Sequence, residues 1–340
     1  MSFDPAAVNT AFGSLFYFKL AWFSNSTGVW KNAVLGNSGT TKPTFFNRAY
    51  NPATDFHLGY YGIDAAHHVV WAVVNHNSKF AALQFPAEPS DFNLDGQPDY
   101  VLFNPTTQQT SIVTLNGLAA GSTAVGPVVT AGYQLAAVAD VNQDGHSDFV
   151  LYNSTTRHTA VWYLNGAKRT TNGPALTLPA GWSLVAAGDF NGDGKPDFVL
   201  YNASNQQTAI WYLNAGAFVS SANGPTLPAG WSLVAVADFN GDGSADYVLF
   251  NTGTPSKPST RQTAIWYMNG ATFVSAANGP TTPGGWVLQG AADFNADAQP
   301  DFVLANPTTH QSLIWYLNGA TYTGGAAGPT LTAGYNLIAP

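Results

Sequence analysis

The sequence contains no cysteine, which excludes disulfide bonds, thiol catalysis and cysteine-ligated zinc. Charged residues make up only 9% of its 340 residues, far below the roughly 25% typical of soluble domains. Only 11 residues are lysine or arginine and they form no basic run, so we expect no nucleic-acid partner. No apolar run approaches the roughly 20 residues of a membrane-spanning helix.

Aromatic residues are abundant, at 14% of the chain, and asparagine, threonine, serine and glycine supply most of the polar surface. No segment shows a convincing helical period. This mixture is typical of an aromatic-rich β interior beneath an uncharged polar surface. The N-terminal residues show no signal-peptide pattern, so we expect either that the chain is not exported as given or that a signal has been removed.

An acidic motif recurs five times and dominates the sequence. Its third copy reads DFNGDGKPDFVLYN, and it carries Asp or Asn at positions 1, 3, 5 and 9 before turning apolar. The copies begin at residues 91, 140, 189, 238 and 293. Internal repeats of this period are typical of β-propeller blades.

Two further signals accompany each motif. A run such as TAIWYLNA (208–215) follows it, and a step such as LPAGWSLVAVA (227–237) leads into the next copy. Each unit is therefore predicted to contain four short strands, A to D, with the acidic loop between A and B. The longest interval between copies holds an insertion at 252–261, which we expect to be an exposed loop.

We predict an all-β, seven-bladed β-propeller of four-stranded blades, forming one domain over residues 1–340. Blades three to seven, about 89–340, are regular, whereas the first two, about 1–88, are divergent. The chain ends in a strand A with no strand B after it, and its N-terminus has strands B and C with no A before them. We therefore expect Tyr335–Pro340 to supply the innermost strand of the first blade and to close the ring.

The five acidic loops predict calcium sites. They hold 15 of the 19 acidic residues, and such clusters repel one another unless a cation lies among them. A single loop of this kind is explained equally well as an Asx-rich turn, but five in register favour about five structural Ca²⁺ ions with oxygen ligands at alternate positions. The expected side-chain ligands are Asp91, Asn93, Asp95, Asp99, Asp140, Asn142, Asp144, Asp148, Asp189, Asn191, Asp193, Asp197, Asp238, Asn240, Asp242, Asp246, Asp293, Asn295, Asp297 and Asp301.

The loops are not all equal. Ala298 replaces the turn glycine in the last copy and should weaken that site, because alanine disfavours a left-handed backbone. The divergent blades have lost most of the ligands, and we predict that they bind no ion. The segment 47–55 keeps only Asn47, Asn51 and Asp55.

The D-x-N-x-D-G-x-x-D loop followed by an aromatic and β-branched strand resembles FG-GAP/VCBS repeats, the units of integrin α-subunit propellers. The resemblance is strong over 91–340 and weak before it. It implies a propeller in which calcium in the A–B loops stabilises the blades, so the aspartates would be structural rather than catalytic. The scaffold hosts adhesins, lectins, lyases and accessory modules, so the resemblance does not specify the function.

Strand direction predicts a second face, formed by the B–C turns and D–A connections. It carries five aromatic residues beside uncharged Asn, Gln and Thr, a combination suited to neutral sugars. Core packing is the competing explanation for these aromatics. The candidate ligand-binding residues are Tyr133, Trp182, Trp231, Trp286 and Tyr335.

The favoured function is an extracellular, calcium-stabilised binding or adhesion module with a glycan ligand. Calcium affinities typical of extracellular modules are the argument for secretion. One alternative is protein interaction or self-assembly, as a homo-oligomer or filament. A third is a polysaccharide-active enzyme using the histidines of the second blade with Asp55 and Asp64. Those histidines are His57, His67, His68 and His76.

Overall fold

The protein is all-β in the computed structural model. The structure describes residues 18–24, 29–33, 44–46, 49–64, 67, 69–75, 80–84, 89–253, 259–295, 297 and 299–340. None of these residues forms an α-helix, and therefore none forms a helix that could cross a lipid bilayer.

Twenty-six strands account for the ordered secondary structure of the described residues. They are β1 (Phe18–Ser24), β2 (Val29–Asn32), β3 (Thr44–Phe46), β4 (Tyr60–Asp64), β5 (Val69–Ala72), β6 (Phe80–Gln84), β7 (Tyr100–Phe103), β8 (Gln109–Asn116), β9 (Ala119–Val128), β10 (Gln134–Ala139), β11 (Asp148–Asn153), β12 (His158–Asn165), β13 (Lys168–Asn172), β14 (Trp182–Gly188), β15 (Asp197–Asn202), β16 (Gln207–Asn214), β17 (Ala217–Thr226), β18 (Trp231–Ala237), β19 (Asp246–Asn251), β20 (Gln262–Asn269), β21 (Thr272–Thr281), β22 (Val287–Ala292), β23 (Asp301–Ala305), β24 (Gln311–Asn318), β25 (Thr321–Thr330) and β26 (Asn336–Ala339).

The regular repeats form five four-stranded antiparallel sheets, which we number as blades I to V. Blade I is β26-β7-β8-β9, blade II is β10 to β13, blade III is β14 to β17, blade IV is β18 to β21 and blade V is β22 to β25. Each sheet therefore follows the predicted A-B-C-D order. The strand boundaries match the sequence pattern closely, because apolar and aromatic runs end at the acidic loops and Asn-Gly turns.

The five A strands contact one another in a closed circle. β10 packs beside β14, β14 beside β18, β18 beside β22, and β26 lies between β22 and β10. Strand A is thus the innermost strand of each blade, as predicted. Every A strand also carries a bulge opposite strand B, for example between Leu184 and Ala186.

The predicted closure through the first blade is wrong. β26 pairs with β7, in a register that places Leu337 opposite Leu102, and so completes the blade that follows residue 89. That blade lacks an A strand of its own, because the preceding strand β6 pairs with β1 instead. The ring closes on five blades, and the predicted count of seven is not confirmed.

The N-terminal strands form two separate three-stranded sheets. One has the order β2-β1-β6 and the other β3-β4-β5, in which β3 and β4 are parallel. Neither has the A-B-C-D order of a blade. The N-terminal segments that align weakly with the repeat therefore do not have the hydrogen-bonding pattern of the five blades. The single domain over 1–340 stays a prediction.

Aromatic packing between blades follows the same repeat. The residue at position 2 of one acidic loop packs edge-on against position 10 of the next repeat, as in Phe190 against Tyr247, whose ring centroids are 5.7 Å apart. The last such pair, Phe294 with Tyr100 at 6.3 Å, joins blade V to blade I. Each of these four side chains is at least nine-tenths buried. Closure is thus supported by the inter-blade core as well as by β-pairing.

Closure on blade I predicts which introduced cysteines can form a disulfide. Val101 and Ala339 lie directly opposite one another, and opposed Cβ atoms are close enough for an S–S bond after a small adjustment. In this cysteine-free chain, Val101→Cys/Ala339→Cys should oxidise to an intramolecular disulfide detectable by peptide mass mapping. The control pair, Ala21→Cys/Ala339→Cys, tests closure through the N-terminal sheet. A disulfide in the control pair and none in the first would overturn the five-bladed ring.

Candidate functional site

The five acidic loops lie between strands A and B, on one face of the ring that we call the acidic-loop face. All the loop residues predicted from the sequence occupy this face, in five equivalent positions. The position-9 carboxylates are fully buried at the start of strand B. They belong to Asp99, Asp148, Asp197, Asp246 and Asp301.

Each position-9 carboxylate joins three parts of its blade. In blade III the amide of Phe190, inside the loop, donates to Oδ2 of Asp197 at 3.1 Å. The amide of Leu213, on strand C, donates to Oδ1 at 2.9 Å. The same two bonds recur in the other four blades. The carboxylate therefore ties the acidic loop and strand C to strand B.

The remaining loop residues fold back on the loop's own backbone. Oδ2 of Asp189 accepts from the amide of Gly194 at 2.7 Å, and Oδ1 of Asn191 accepts from the amide of Asp193 at 3.0 Å. Asp193 in turn accepts from the amide of Lys195 at 2.9 Å. Within the described residues, no group of three or more acidic or histidine side chains is arranged to hold a metal ion. The donor types suit a hard cation, but their oxygens are turned towards backbone amides.

Burial disfavours the charged form of these carboxyl groups and raises their pKa values. Desolvation, reinforced by the neighbouring aspartates of the same loop, raises the pKa of Asp99 to about 8 and that of Asp301 to about 9. The pKa values of Asp148, Asp197 and Asp246 rise to about 7 for the same reasons. Desolvation also raises the pKa of Asp140, at position 1, to about 6. The loops thus favour either a proton or a cation over the bare charge.

Hydrogen bonds join the acidic loops of neighbouring blades. Ser147 Oγ donates to the carbonyl of Asp91 at 3.4 Å, linking blades I and II. The amide of Ala245 donates to the carbonyl of Asp189 at 2.6 Å, linking blades III and IV. The acidic loops of these neighbouring blades are therefore in direct contact.

One loop oxygen lacks a hydrogen-bond donor. Oδ1 of Asn295, at position 3 of the fifth loop, is a buried atom with no partner. An unsatisfied buried acceptor costs free energy, and a cation in the loop would satisfy it. This oxygen is therefore available to a cation in the fifth loop, the copy that Ala298 is expected to weaken.

The five predicted ligand-binding aromatics occupy the opposite face, formed by B–C turns and D–A connections, which we call the aromatic-turn face. Each lies at or next to the start of an A strand, so together they encircle the ring's axis at one end. All five are partly buried and pack against the inter-blade cores. The structure therefore supports a packing contribution and leaves part of each ring accessible.

A repeated turn positions these aromatics. The amide of Trp182 donates to the carbonyl of Pro179 at 3.3 Å, and Gly181 between them has φ +84°. A positive φ at the third residue of a turn is typical of type II turns, which favour glycine there. Asn202 lies beside this glycine, since a Cβ on Gly181 would be 3.3 Å from its Nδ2. The equivalent bond recurs in the other four blades.

The neighbouring asparagine organises the B–C turn. Oδ1 of Asn202 accepts from the amide of Ser204 at 3.0 Å, and Oδ1 of Asn153 accepts from the amides of Thr155 and Thr156 at 3.0 Å. These asparagines end strand B, so they connect the two kinds of turn that form the aromatic-turn face. Rigid strand ends thus hold an aromatic ring beside amides and hydroxyls.

Sequence reasoning missed a third repeated element of this face. The last residue of every B–C turn has a left-handed backbone although none is glycine, a conformation uncommon for such residues. The available signal in the sequence was position: these residues all stand immediately before strand C and align in the five repeats. These residues and their φ angles are Gln108 (60°), Arg157 (63°), Gln206 (61°), Arg261 (56°) and His310 (58°).

The histidines proposed for an enzyme are not brought together among the described residues. His57 is exposed and its ring lies 5.0 Å from that of Tyr60, and His67 is exposed as well. Asp55 is buried and accepts from the amide of Asn51 at 2.7 Å. His68, His76 and Asn47 lie outside the described residues, and the side chain of Asp64 is not described.

The type II-like turn predicts opposite effects for two adjacent glycines. Gly285 has φ +83°, and a Cβ there would be 3.3 Å from Nδ2 of Asn306, whereas a Cβ on Gly284 would meet no atom within 4 Å. Gly285→Ala should lower the free energy of unfolding by about 1–2 kcal/mol, and Gly284→Ala should raise it by about 0.4–1 kcal/mol. Urea unfolding of both variants measures this. Equal effects would refute the turn geometry.

Comparison with known families gives one match within this chain. The model of the FG-GAP-like repeat matches residues 140–200 and 189–249, which include all of blade III, parts of blades II and IV and the acidic loops of all three. No curated protein matches the sequence.

Several solved structures are distantly similar. A protein from Lactobacillus plantarum is 14% identical, with 91% of this chain and 92% of that one covered and a TM-score of 0.40. A protein of unknown function from Bacteroides caccae is 11% identical over 68% of this chain and 73% of its own, with a TM-score of 0.38. The Photorhabdus luminescens Tc holotoxin pore is 19% identical over 67% of this chain and 11% of its own, with a TM-score of 0.37.

These TM-scores are too low to bear on function. The repeat match and the ring of four-stranded blades agree with one another, since each matched segment begins at one acidic loop and runs through the next loop into its strand B. Residues 140–249 thus match the FG-GAP-like repeat, and the regular repeats of the chain form the blades of a β-propeller.

Proposed function

We propose that the protein is an extracellular binding module whose acidic loops hold structural calcium and whose aromatic-turn face binds carbohydrate. The observation that carries the proposal is the fivefold repetition of two distinct polar arrangements on opposite faces. One concentrates carboxylates around buried positions, and the other sets partly exposed aromatic rings beside uncharged hydrogen-bonding groups.

Calcium is supported by the electrostatics of the loops. Bare carboxylates are disfavoured there, as the raised pKa of Asp197 indicates, and the oxygen donors at alternate positions suit calcium. Ion binding would neutralise the repulsion and reinforce the bonds from Asp197 to the loop and strand C. Extracellular calcium modules commonly have dissociation constants of roughly 10⁻⁴–10⁻³ M, which favours a location outside the cell.

The stability of the calcium-free protein should fall as the pH rises. Unfolded aspartates have a pKa of about 3.9, whereas the buried ones titrate at about 7 to 9 in the fold. The folded state therefore binds more protons, and its stabilisation is lost between about pH 4 and pH 9. Melting of dialysed protein at pH 5 and pH 8 should show a lower melting temperature at pH 8.

Adding calcium at about 2 mM, twice the upper end of that range of dissociation constants, should raise the melting temperature more at pH 8 than at pH 5, because a cation replaces the proton. Magnesium at the same concentration is the control for nonspecific screening. A melting temperature at pH 8 that does not respond to calcium would refute the calcium assignment.

Carbohydrate is supported by the composition and rigidity of the aromatic-turn face. Apolar faces of sugar rings stack on aromatic side chains, while amides and hydroxyls bind their OH groups. The repeated turn fixes Trp182 and Trp231 in equivalent positions, each closing on a proline carbonyl. Five equivalent sites would allow weak individual binding to gain by multivalency.

Trp182→Ala with Trp231→Ala should weaken glycan binding by at least about tenfold, because each removes a stacking ring. Binding is measured on a glycan array and by calorimetry in calcium. The matched control is Trp211→Ala, which removes a tryptophan that packs against Phe218 on the outer strands, 4.9 Å between centroids.

Protein interaction is a second candidate, favoured by the outer rim. Val219 and Val274 are 62% and 60% exposed on the outermost strands β17 and β21, whose outer edges have no partner strand within the described residues. Exposed apolar side chains on unpaired edges favour association. No binding to any glycan, together with concentration-dependent oligomers in sedimentation, would favour this candidate over the carbohydrate proposal.

A further inference from the structure

The last residue of each B–C turn has a left-handed backbone that is unfavourable for a residue with a side chain. The turn itself would form more easily with glycine at this position. Residues with a Cβ disfavour this conformation, and glycine relieves it. The same face shows that the chain uses glycine where only the backbone matters, since all five aromatic turns have glycine at their positive φ. The B–C turns instead carry two glutamines, two arginines and a histidine. Strain retained at a surface turn points to a use for the side chain.

The backbone of these residues is joined to the aromatic positions. The carbonyl of Arg157 accepts from the amide of Leu178 at 2.9 Å, four residues before Trp182. The carbonyl of Arg261 accepts from the amide of Thr282 at 2.9 Å, four residues before Trp286. All five B–C turns make this bond. Each left-handed residue is therefore held next to the segment that presents the aromatic of the following blade.

The side chains at these positions are not consumed by the core. The side chain of Arg157 is only partly buried and Arg261 is exposed, although Nε of Arg261 donates to the carbonyl of Thr282 at 3.2 Å. Nε2 of Gln108 donates to the carbonyl of Pro105 at 2.9 Å, and its Oε1 is a buried acceptor without a partner. The guanidinium of Arg157 and the terminal nitrogens of Arg261 can donate hydrogen bonds towards a ligand.

Charge is segregated between the two faces of the ring. Between residues 89 and 340 every acidic residue is one of the fifteen loop aspartates on the acidic-loop face. The B–C turns and D–A connections of the ring therefore contain no carboxylate side chain, while they contain Arg157 and Arg261. An anionic group on a ligand would meet no side-chain repulsion there. Arginine binds carboxylate and sulfate with two parallel hydrogen bonds.

We propose that the left-handed residue of each B–C turn determines the specificity of a saccharide site that it forms with the aromatic residue of the next blade. The arginines make the sites of Trp182 and Trp286 selective for sugars bearing a carboxylate or sulfate. The glutamine sites, at Tyr133 and Trp231, take neutral sugars. This inference rests on the proposed carbohydrate function and adds the chemical class that each site accepts.

The test compares three probes that share one sugar core and differ only in a hydroxyl, a carboxylate or a sulfate group. Arg157→Gln/Arg261→Gln is the central variant, because Gln108 and Gln206 already show that glutamine fits this backbone. It should lose at least about tenfold in affinity for the two anionic probes, the effect of removing a charge-assisted contact. Its affinity for the neutral probe should stay unchanged. The reverse variant, Gln108→Arg/Gln206→Arg, should gain affinity for the anionic probes.

The outcomes separate this inference from the function on which it rests. Failure of all three probes to bind in calcium, together with no binding to any glycan on the array, would refute both. Equal binding of the three probes, unaffected by Arg157→Gln/Arg261→Gln, would refute only the specificity assignment. The carboxylate and sulfate arms identify which anion is preferred.

A substitution to glycine distinguishes a binding role from a structural one. Arg157→Gly/Arg261→Gly removes both side chains and relieves the backbone, so its melting temperature should be at least that of the wild type while its affinity for the anionic probes falls. Retained anionic binding in this folded variant would overturn the proposal, because these positions would then serve the backbone alone.

Discussion

The blades depend on a buried carboxylate at the start of each strand B. In blade III it is Asp197, which accepts one amide from the acidic loop and another from strand C. No apolar residue could replace it without leaving two buried amides unpaired. The same carboxylate is costly as a bare anion, and burial raises its pKa to about 7. An interaction that organises the blade therefore also creates the demand for a proton or a cation.

Ring closure adds the second constraint. Blade I has no inner strand adjacent in sequence, so β26 supplies it, and Phe294 meets Tyr100 in the contact used between other blades. The A strand at the inner edge of each blade thus lies beside the A strands of the two adjacent blades. Bonds such as that from Ser147 to Asp91 connect the acidic loops around the ring. Stability is consequently shared between the blades.

In the proposed function, the two faces separate stability from recognition. Antiparallel strands place the acidic loops at one end and the B–C turns at the other, so carboxylates and aromatic turns cannot mix. The aspartates proposed as calcium ligands are thereby confined to the acidic-loop face. The opposite face is free to vary at positions such as Arg157 and Gln206, which share one backbone conformation but differ in charge. A repeated scaffold can in this way present several different sites.

The sequence by itself determined the strands, their order within a blade, the acidic loops and the aromatic turns. These are local features, since Asn-Gly turns, Gly181 and the spacing of the loop aspartates act within one repeat. The sequence did not determine the blade count or the partner of β26. One A strand resembles another in sequence, and β26 pairs with β7 because the edge of β7 is otherwise unpaired. The sequence also concealed the left-handed Gln108 and Arg157, whose carbonyls accept hydrogen bonds from the following D–A connection. These features depend on pairing between residues far apart in the sequence, which no short pattern encodes, so only the tertiary structure reveals them.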